Sequence, residues 1–461
     1  MSGKQIFRCR KILLDHGWAD DVLLYVDDQG LITSVTASAD KNSTGSQVTH
    51  LDNVIIPGIP NLHSHAHQRA MAGLGEQTSG AEDSFWTWRK AMYRTLAQIT
   101  PDQLYHIASM LYLEMLQAGY TRVAEFQYLH HDQSGSAYAN RAEMTLQCAK
   151  AASDVGIGFT ALPVLYRYGG FGAQEPGDAQ KRFINDAEGF LEILGCLERD
   201  LQKEMMLGIA PHSLRAVDKN LLQDVLDTTD KERVVHIHIA EQIKEVDDCL
   251  DWSGQRPVEW LYHHFSPGPS WCLIHATHMD KEETETIAGS GAIVGLCPTT
   301  EANLGDGFFN ASDYFAHNGR WGIGSDSQIS VSPIEELRWL EYGQRLLTKS
   351  RNVLTGNEAD AGHTGAELYR QSALGGAAAC GVKAGTLEVG NLADFLVIDD
   401  SSPRQTGRSE DDFLDSMVFS GNQNPVSAVY VAGKPVIVDK QHSEQAQIHQ
   451  RFRETIKQLS Q

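Results

Sequence analysis

The 461-residue sequence is poor in cysteine, in basic residues and in long hydrophobic runs, and each shortage excludes a class of protein. Its seven cysteines are scattered without a CxxC pair, which indicates free thiols and not a disulfide framework. No apolar run approaches the roughly 20 residues of a membrane helix, and the N-terminus has no signal-peptide pattern. With 38 basic and 60 acidic residues the net charge is -22, which argues against nucleic acid or an anionic membrane as a partner. We therefore expect a cytoplasmic protein.

Both ends of the chain alternate apolar and polar residues, as half-exposed β-strands do. One hairpin pattern surrounds Gly30 and a second surrounds Gly433. We therefore expect residues 1–57 and 386–445 to form one small, sandwich-like β domain. The last segment, 446–461, is expected to be a C-terminal helix.

The middle of the chain, residues 58–385, alternates short apolar runs with longer helical stretches. This alternation is typical of βα units, and continuous apolar runs are typical of strands buried on both faces. Eight runs predict the α/β fold class and a closed (β/α)₈ TIM barrel. The runs are 54–56, 122–124, 158–164, 206–209, 234–239, 271–274, 292–296 and 321–323.

Nearly every one of these runs ends in a polar side chain that could bind a ligand. Barrels of this kind carry their active sites at the C-terminal ends of the strands, so we expect these side chains to converge. They are His63, Glu125, Tyr166, His212, His238, His275, Thr299 and Asp326.

Four of the strand ends carry motifs suited to a metal site. His63 and His65 are two residues apart, so on a strand both imidazoles point to the same side. Imidazole is a common ligand of zinc and related ions. Each motif is weak alone, but the four in this order are specific. The other three are His238 with Glu241 three residues later, His275, and Asp326 after a glycine turn.

Together these motifs resemble the amidohydrolase superfamily, and specifically its mononuclear deaminase branch. The segment 385–394, GTLEVGNLAD, resembles the stretch with which such chains return to their β domain. The resemblance implies one divalent metal ion, with Zn²⁺ in first place and Fe²⁺ as the alternative. Residues 210–215 contain no lysine, the ligand that binuclear members place there, which favours a single metal. The implied ligands are His63, His65, His238 and Asp326.

Three further segments, 62–73, 85–89 and 297–307, resemble the formiminoglutamate deiminases within that branch. This implies hydrolysis of N-formimino-L-glutamate to N-formyl-L-glutamate and ammonia, a reaction of histidine degradation. Such a small-molecule substrate carries two carboxylates, which arginine binds through bidentate hydrogen bonds. The implied substrate-binding residues are Arg89 and Arg215 as carboxylate clamps, with Gln68, Tyr128 and His212 as further contacts.

The predicted chemistry is metal-assisted hydrolysis. A bound zinc ion would lower the pKa of water towards neutrality, and Asp326 would accept a proton from that water. Glu241 would carry a proton to the departing nitrogen, and His275 would stabilise the hydroxide and the tetrahedral centre by hydrogen bonding. Gln328, where the resemblance leads us to expect histidine, lies outside the ligand set.

Three other interpretations compete with this one. A deaminase of a ring such as guanine or cytosine would keep the metal ligands, but a flat neutral ring does not need two arginines. A non-catalytic metal-binding protein would not need Glu241 beside a closed set of four ligands. A binuclear amide hydrolase is disfavoured by the missing lysine. A homodimer is common in the family and is our expectation by analogy.

Overall fold

The computed structural model describes residues 5–37, 48–76, 85–327, 329–355 and 362–461, with the backbone alone at 85–87, 90 and 91. Gln328, the position where the family resemblance leads us to expect histidine, lies outside these residues. The strands are β1 (Gln5–Leu14), β2 (Gly17–Val26), β3 (Ile32–Ala37), β4 (Val48–Pro57), β5 (Ile59–Ser64), β6 (Tyr120–Gln127), β7 (Gly158–Leu165), β8 (Met206–Leu207), β9 (Ala210–Pro211), β10 (Val235–Ile239), β11 (Trp271–His275), β12 (Ile293–Leu296), β13 (Arg320–Ile323), β14 (Phe395–Ile398), β15 (Val426–Val431) and β16 (Lys434–Ile437).

Helices follow most of the central strands. Among those in the described ranges, none combines the length and apolar character needed to cross a bilayer. The helices are α1 (Phe85–Leu96), α2 (Pro101–Ala118), α3 (Glu143–Val155), α4 (Ala187–Asp200), α5 (Lys219–Thr228), α6 (Ile243–Ser253), α7 (Pro257–His264), α8 (Lys281–Ser290), α9 (Pro298–Leu304), α10 (Ala311–Ala316), α11 (Pro333–Thr348), α12 (Thr364–Ala379), α13 (Asp411–Phe419) and α14 (Gln445–Leu459).

Both ends of the chain contribute to one seven-stranded sheet, in the order β16-β15-β14-β4-β1-β2-β3. Successive side chains of a strand point to opposite faces, and both faces of this sheet are covered. One face supplies a small separate core that includes Phe7, Ile12 and Phe395. The other face joins the main core through Leu13 and Val54. The domain boundaries at 57/58 and 385/386 remain a prediction.

The prediction that residues 54–56 form the first barrel strand is wrong. They belong to β4, where Ile56 pairs with Leu396 of β14 in the terminal sheet. The first barrel strand is β5, which begins one residue after Gly58. A Cβ on Gly58 would lie 2.2 Å from Thr121 Cγ2, so the chain passes between the two sheets where only glycine fits. The last four residues of β4 and all of β5 are buried, and burial alone could not assign them to different sheets.

The predicted (β/α)₈ barrel is confirmed by the strand pairing. Parallel strands run in the order β5-β6-β7-β8, with β9 beside β7, and then β10-β11-β12-β13. A parallel bridge from Ile209 to Val235 joins the first group to the second. A second parallel bridge from Ser64 to Asp326 joins the last strand to the first. The carboxyl ends of the strands therefore meet at one rim, as the sequence pattern predicted.

Helix α12 packs unusually close to two strands that lead into that rim. A Cβ on Gly375 would lie 1.6 Å from the Trp321 carbonyl oxygen of β13. A Cβ on Gly376 would lie 2.6 Å from the Pro60 carbonyl oxygen of β5. Adjacent glycines thus allow the helix backbone to lie directly on the strand backbones and fix their relative position.

Candidate active site

Four side chains from the ends of three strands converge at the rim. His63 Nε2 lies 3.1 Å from His238 Nε2 and 3.4 Å from Asp326 Oδ1. His65 Nε2 lies 3.3 Å from the same Asp326 oxygen. Ligands held about 2.0–2.1 Å from a zinc ion at tetrahedral angles are about 3.3 Å from one another. The ligand atoms of His63, His65 and Asp326 all lie within 4.8 Å of one another, as the ligands of one metal ion do, and His238 joins this group through its contact with His63.

Two of the three histidines of this cluster are oriented by the backbone behind them. The Nδ1 atoms of His65 and His238 lie 2.9 Å from the carbonyl oxygens of Phe126 and His212. A carbonyl can only accept, so each Nδ1 carries the hydrogen and each Nε2 turns its lone pair towards the cluster. Burial lowers the pKa of His63 to about 3 and also lowers the pKa of His65 and His238. All three are therefore neutral imidazoles at neutral pH, as metal ligands must be.

Left-handed backbone conformations accompany these strand ends. Ala240 (φ 51°), His275 (φ 69°), Ala276 (φ 48°) and Asp326 (φ 51°) all adopt positive φ. Non-glycine residues seldom do so, and strain of this kind collects at functional sites. Two backbone hydrogen bonds hold the turn at Asp326. The Asp326 N–H donates to the carbonyl of His63 in β5, and the N–H of His65, just after β5, donates to the carbonyl of Asp326.

His275 is held between three carboxylates. Its Nδ1 lies 3.2 Å from Glu301 Oε1, and its Nε2 lies 3.8 Å from Glu241 Oε1 and 3.7 Å from Asp326 Oδ2. Burial lowers the pKa of His275, but Glu241, Glu301 and Asp326 outweigh it and raise that pKa to about 10. Burial likewise raises the pKa of Asp326, yet the neighbouring imidazoles hold it below its ordinary value. The ring of His275 can therefore donate a hydrogen bond into the site.

Glu241 faces the Nε2 atom of His275, as Asp326 does, and is itself buried. Burial raises the pKa of Glu241 to about 7, although His275 and Arg215 act to lower it. At neutral pH both its protonated and its ionised forms are populated. A carboxyl group that transfers protons in both directions requires this balance.

The buried carboxylate of Glu245, in the first turn of α6, links Glu241 to Arg215. Its two oxygens accept hydrogen bonds from the backbone N–H groups of Ala240 and Glu241, at 3.3 and 3.2 Å. Its Oε2 also lies 3.9 Å from Arg215 Nη2. The Glu245 carboxylate thus contacts both the turn that carries Glu241 and Arg215, which is predicted to bind a substrate carboxylate.

Three members of the cluster, His65, His238 and Asp326, line a cleft at this rim. All five predicted substrate-binding residues line it, together with Glu241, His275 and Asp326. Those five are Gln68, Arg89, Tyr128, His212 and Arg215.

Arg89 reaches the cleft from α1 and is held by two tyrosines. Its Nε donates to the Tyr93 hydroxyl at 2.6 Å, and its Nη2 donates to the Tyr166 hydroxyl at 3.2 Å. The neighbouring arginine candidates lie elsewhere. Arg69 pairs with Glu114 at 2.7 Å, and neither Arg69 nor the exposed Arg94 lines the cleft.

Gln68 offers a hydrogen-bond acceptor. Its Nε2 donates to the Tyr128 hydroxyl at 3.2 Å, and that hydroxyl donates to the Met92 sulfur at 3.2 Å. The Oε1 atom of Gln68 is buried and has no hydrogen-bond partner among the described residues. A ligand that donates an N–H at this place would satisfy it.

Three residues of the site were not predicted as functional. They lie in helices, whereas the prediction considered residues at the ends of strands; they are Glu245, Glu301 and Tyr93. A weak signal existed for Glu301 and Glu245, because each follows a predicted strand within six residues. No comparable signal marks Tyr93, since it acts through a contact that only the folded chain creates.

Comparison with known proteins agrees with this geometry. The amidohydrolase family matches residues 54–436. The formimidoylglutamate deiminase of Pseudomonas aeruginosa is 48% identical over 434 residues, which cover 94% of each chain. A crystal structure of an amidohydrolase from Brucella melitensis has a TM-score of 0.91 at 42% identity, covering 99% of this chain and 100% of that one.

A more distant structure shares the fold. An adenosine deaminase from Xanthomonas campestris with bound zinc has a TM-score of 0.81 at 20% identity, covering 99% of both chains. The resemblance inferred from the strand-end motifs is thus confirmed across most of the sequence. The chain belongs to the amidohydrolase family.

Proposed function

We propose that this protein is a formimidoylglutamate deiminase, which hydrolyses N-formimino-L-glutamate to N-formyl-L-glutamate and ammonia in histidine degradation. The observation that carries the proposal is that Arg89 and Arg215 line the same cleft as the His/Asp cluster and Glu241. Two guanidinium groups beside one reaction centre suit a substrate with two carboxylates. The 48% identity to the Pseudomonas aeruginosa enzyme supports the same conclusion.

The rest of the cleft suits the reacting end of this substrate. The unsatisfied Gln68 Oε1 can accept from an N–H group, which the formimino-amine carries. Tyr128, which accepts from Gln68, and His212, whose ring packs against that of His238, also line the cleft. The carboxylates and the amidine would thus each meet a complementary group.

We propose Zn²⁺ as the resident metal ion, with Fe²⁺ as the alternative, since both accept His/Asp ligands. His63, His65, His238 and Asp326 would hold it. When bound, such an ion supplies a Lewis acid that lowers the pKa of water towards neutrality.

The chain's own groups provide the proton transfers. Asp326 has one oxygen beside His63 and His65, while its Oδ2 faces His275 and can accept a proton from the attacking water. Glu241, with a pKa of about 7, can protonate the departing nitrogen and later release a proton. His275 donates a hydrogen bond to the negative charge that develops at the reacting carbon's oxygen.

The test is ammonia release from N-formimino-L-glutamate by the purified, zinc-loaded protein, with guanine and cytosine as parallel substrates. We expect release from the dicarboxylate alone. Release only from a ring compound would contradict the assignment of the two arginines and favour a ring deaminase that uses the same metal ligands.

We also propose that the protein works in the cytoplasm as a homodimer. All seven cysteines are free thiols, which suits a reducing compartment. Sedimentation of the metal-loaded protein tests the homodimer, and a monomeric mass at micromolar concentration would contradict it.

A further inference from the structure

The side chain of Tyr166 is fixed at the wall of the cleft. It follows β7 directly and is 4% exposed. Its ring packs edge-on against His212, with centroids 4.6 Å apart, and tilted against Phe183 at 5.7 Å. The ring cannot swing away, so the fold determines the position of its hydroxyl group.

The Tyr166 hydroxyl oxygen already accepts two hydrogen bonds. Gln180 Nε2 donates to it at 2.6 Å and Arg89 Nη2 donates at 3.2 Å. The orientation of the Gln180 amide is set because its Oε1 accepts from the Gly177 N–H at 2.8 Å. A guanidinium group can only donate. Because both lone pairs of the oxygen already accept hydrogen bonds, the Tyr166 hydroxyl can bind a ligand only as a donor.

The adjacent hydroxyl of Tyr93 is likewise a hydrogen-bond acceptor for Arg89, whose Nε donates to it at 2.6 Å. Burial and the adjacent Tyr166 hydroxyl raise the pKa of Tyr93, which keeps it neutral at neutral pH. Among the described residues the Tyr166 hydroxyl accepts from Gln180 and Arg89 and donates to no protein group, so its hydrogen remains for a ligand beside Arg89.

We infer that Tyr166 determines substrate specificity by donating its hydroxyl hydrogen to the substrate carboxylate that Arg89 binds. The ligand atom that meets this hydrogen must be an acceptor, and beside a guanidinium group an anionic oxygen gains most. The inference rests on the proposed function and adds a residue that selects a carboxylate over a neutral amide at this end of the cleft.

The test compares Tyr166→Phe with Tyr168→Phe in steady-state kinetics on N-formimino-L-glutamate. The Tyr168 hydroxyl donates to Asp218 at 2.9 Å and does not line the cleft, so its loss is a matched control. We expect Tyr166→Phe to lower kcat/KM about 10- to 100-fold, mainly through KM, because a hydrogen bond to a charged group is lost. Calorimetric binding of N-formyl-L-glutamate should weaken by a similar factor, while Tyr168→Phe changes neither.

A second comparison separates direct contact from an effect through Arg89. In an Arg89→Met background, Tyr166→Phe should still weaken binding of N-formyl-L-glutamate; no further loss would overturn the direct contact. Unchanged KM and binding in Tyr166→Phe alone would also overturn it. If the unsubstituted protein releases no ammonia from N-formimino-L-glutamate, the proposed function fails instead, so the two failures are distinguishable.

Discussion

The Nε2 atoms of His63 and His238 lie 3.1 Å apart at the carboxyl ends of β5 and β10. The Nδ1 of His238 gives its hydrogen to the His212 carbonyl, so the Nε2 of His238 presents a lone pair. Asp326 Oδ1 lies 3.4 Å from the same His63 nitrogen. Electron-rich atoms of three strands thus lie around His63 Nε2, and a cation bound among them would couple metal binding to the stability of the barrel.

Removal of the metal should therefore lower both activity and stability. A ligand at 1,000 times its dissociation constant stabilises the folded state by about 4 kcal/mol, so chelation should lower Tm by several degrees and abolish ammonia release. Metal analysis and thermal melting before and after chelation measure this effect. His238→Ala should mimic it, whereas His67→Asn should retain one metal per chain, because His67 lies outside the ligand cluster. An unchanged Tm after complete metal removal would contradict the coupling.

Glu241→Gln should retain the metal and lose turnover. The amide cannot donate and accept a proton as the carboxyl group does, so kcat should fall by about 10²- to 10⁴-fold. The amide is nearly isosteric with the carboxyl group, and Tm should change little. Metal content and kcat are measured on the same preparation. Near-native kcat in this variant would show that another group transfers the proton.

Much of the fold and of the site could be predicted because the relevant sequence patterns are local. A single strand suffices to show that His63 and His65 are two residues apart, or that a polar residue follows an apolar run. A parallel barrel brings strand ends together whatever lies between them. The structure accordingly places His238 and Asp326 beside His63, although they are distant in sequence.

The features that were not predicted depend on how helices and strands pack against one another, and the spacing of residues along the sequence does not specify that packing. Glu245 was not predicted because its contacts with the Glu241 backbone and Arg215 arise only when α6 folds against the rim. Residues 54–56 were assigned to the wrong sheet because the end of β4 and all of β5 are buried and are separated by a single glycine. Local apolarity predicts burial, whereas the partner strand decides the sheet.

Replacing either of the two arginines proposed to bind carboxylates should weaken substrate use. Under that proposal Arg89→Met and Arg215→Met would each remove charge-assisted hydrogen bonds to a carboxylate, so kcat/KM should fall about 10- to 100-fold, mainly through KM. Arg94→Met is the matched control, because Arg94 is exposed and does not line the cleft. Kinetics that are unchanged in both clamp variants would contradict the two-carboxylate assignment.

Buried His130 should make the protein less stable in acid. Its Nε2 donates to the Val164 carbonyl at 2.8 Å, and burial lowers its pKa from 6.5 to about 3. Above pH 6.5 the imidazole is neutral in both the folded and the unfolded chain and has no effect on the pH dependence. Below pH 6.5 the unfolded chain binds a proton that the folded chain does not, so stability falls as pH decreases towards 3, by up to about 1.4 kcal/mol per pH unit.

His130→Gln isolates this contribution, because glutamine can donate to the same carbonyl but does not titrate. Between pH 6 and 4 the free energy of unfolding should fall less steeply in His130→Gln than in the unsubstituted protein, by about 1.4 kcal/mol per pH unit at most. The metal-site histidines contribute equally to both proteins and cancel in the difference. His50→Gln is the control, since the exposed imidazole of His50 meets water in both states. Denaturant unfolding at several pH values measures the slopes, and parallel slopes for His130→Gln and the unsubstituted protein would show that His130 is protonated without cost in the folded state.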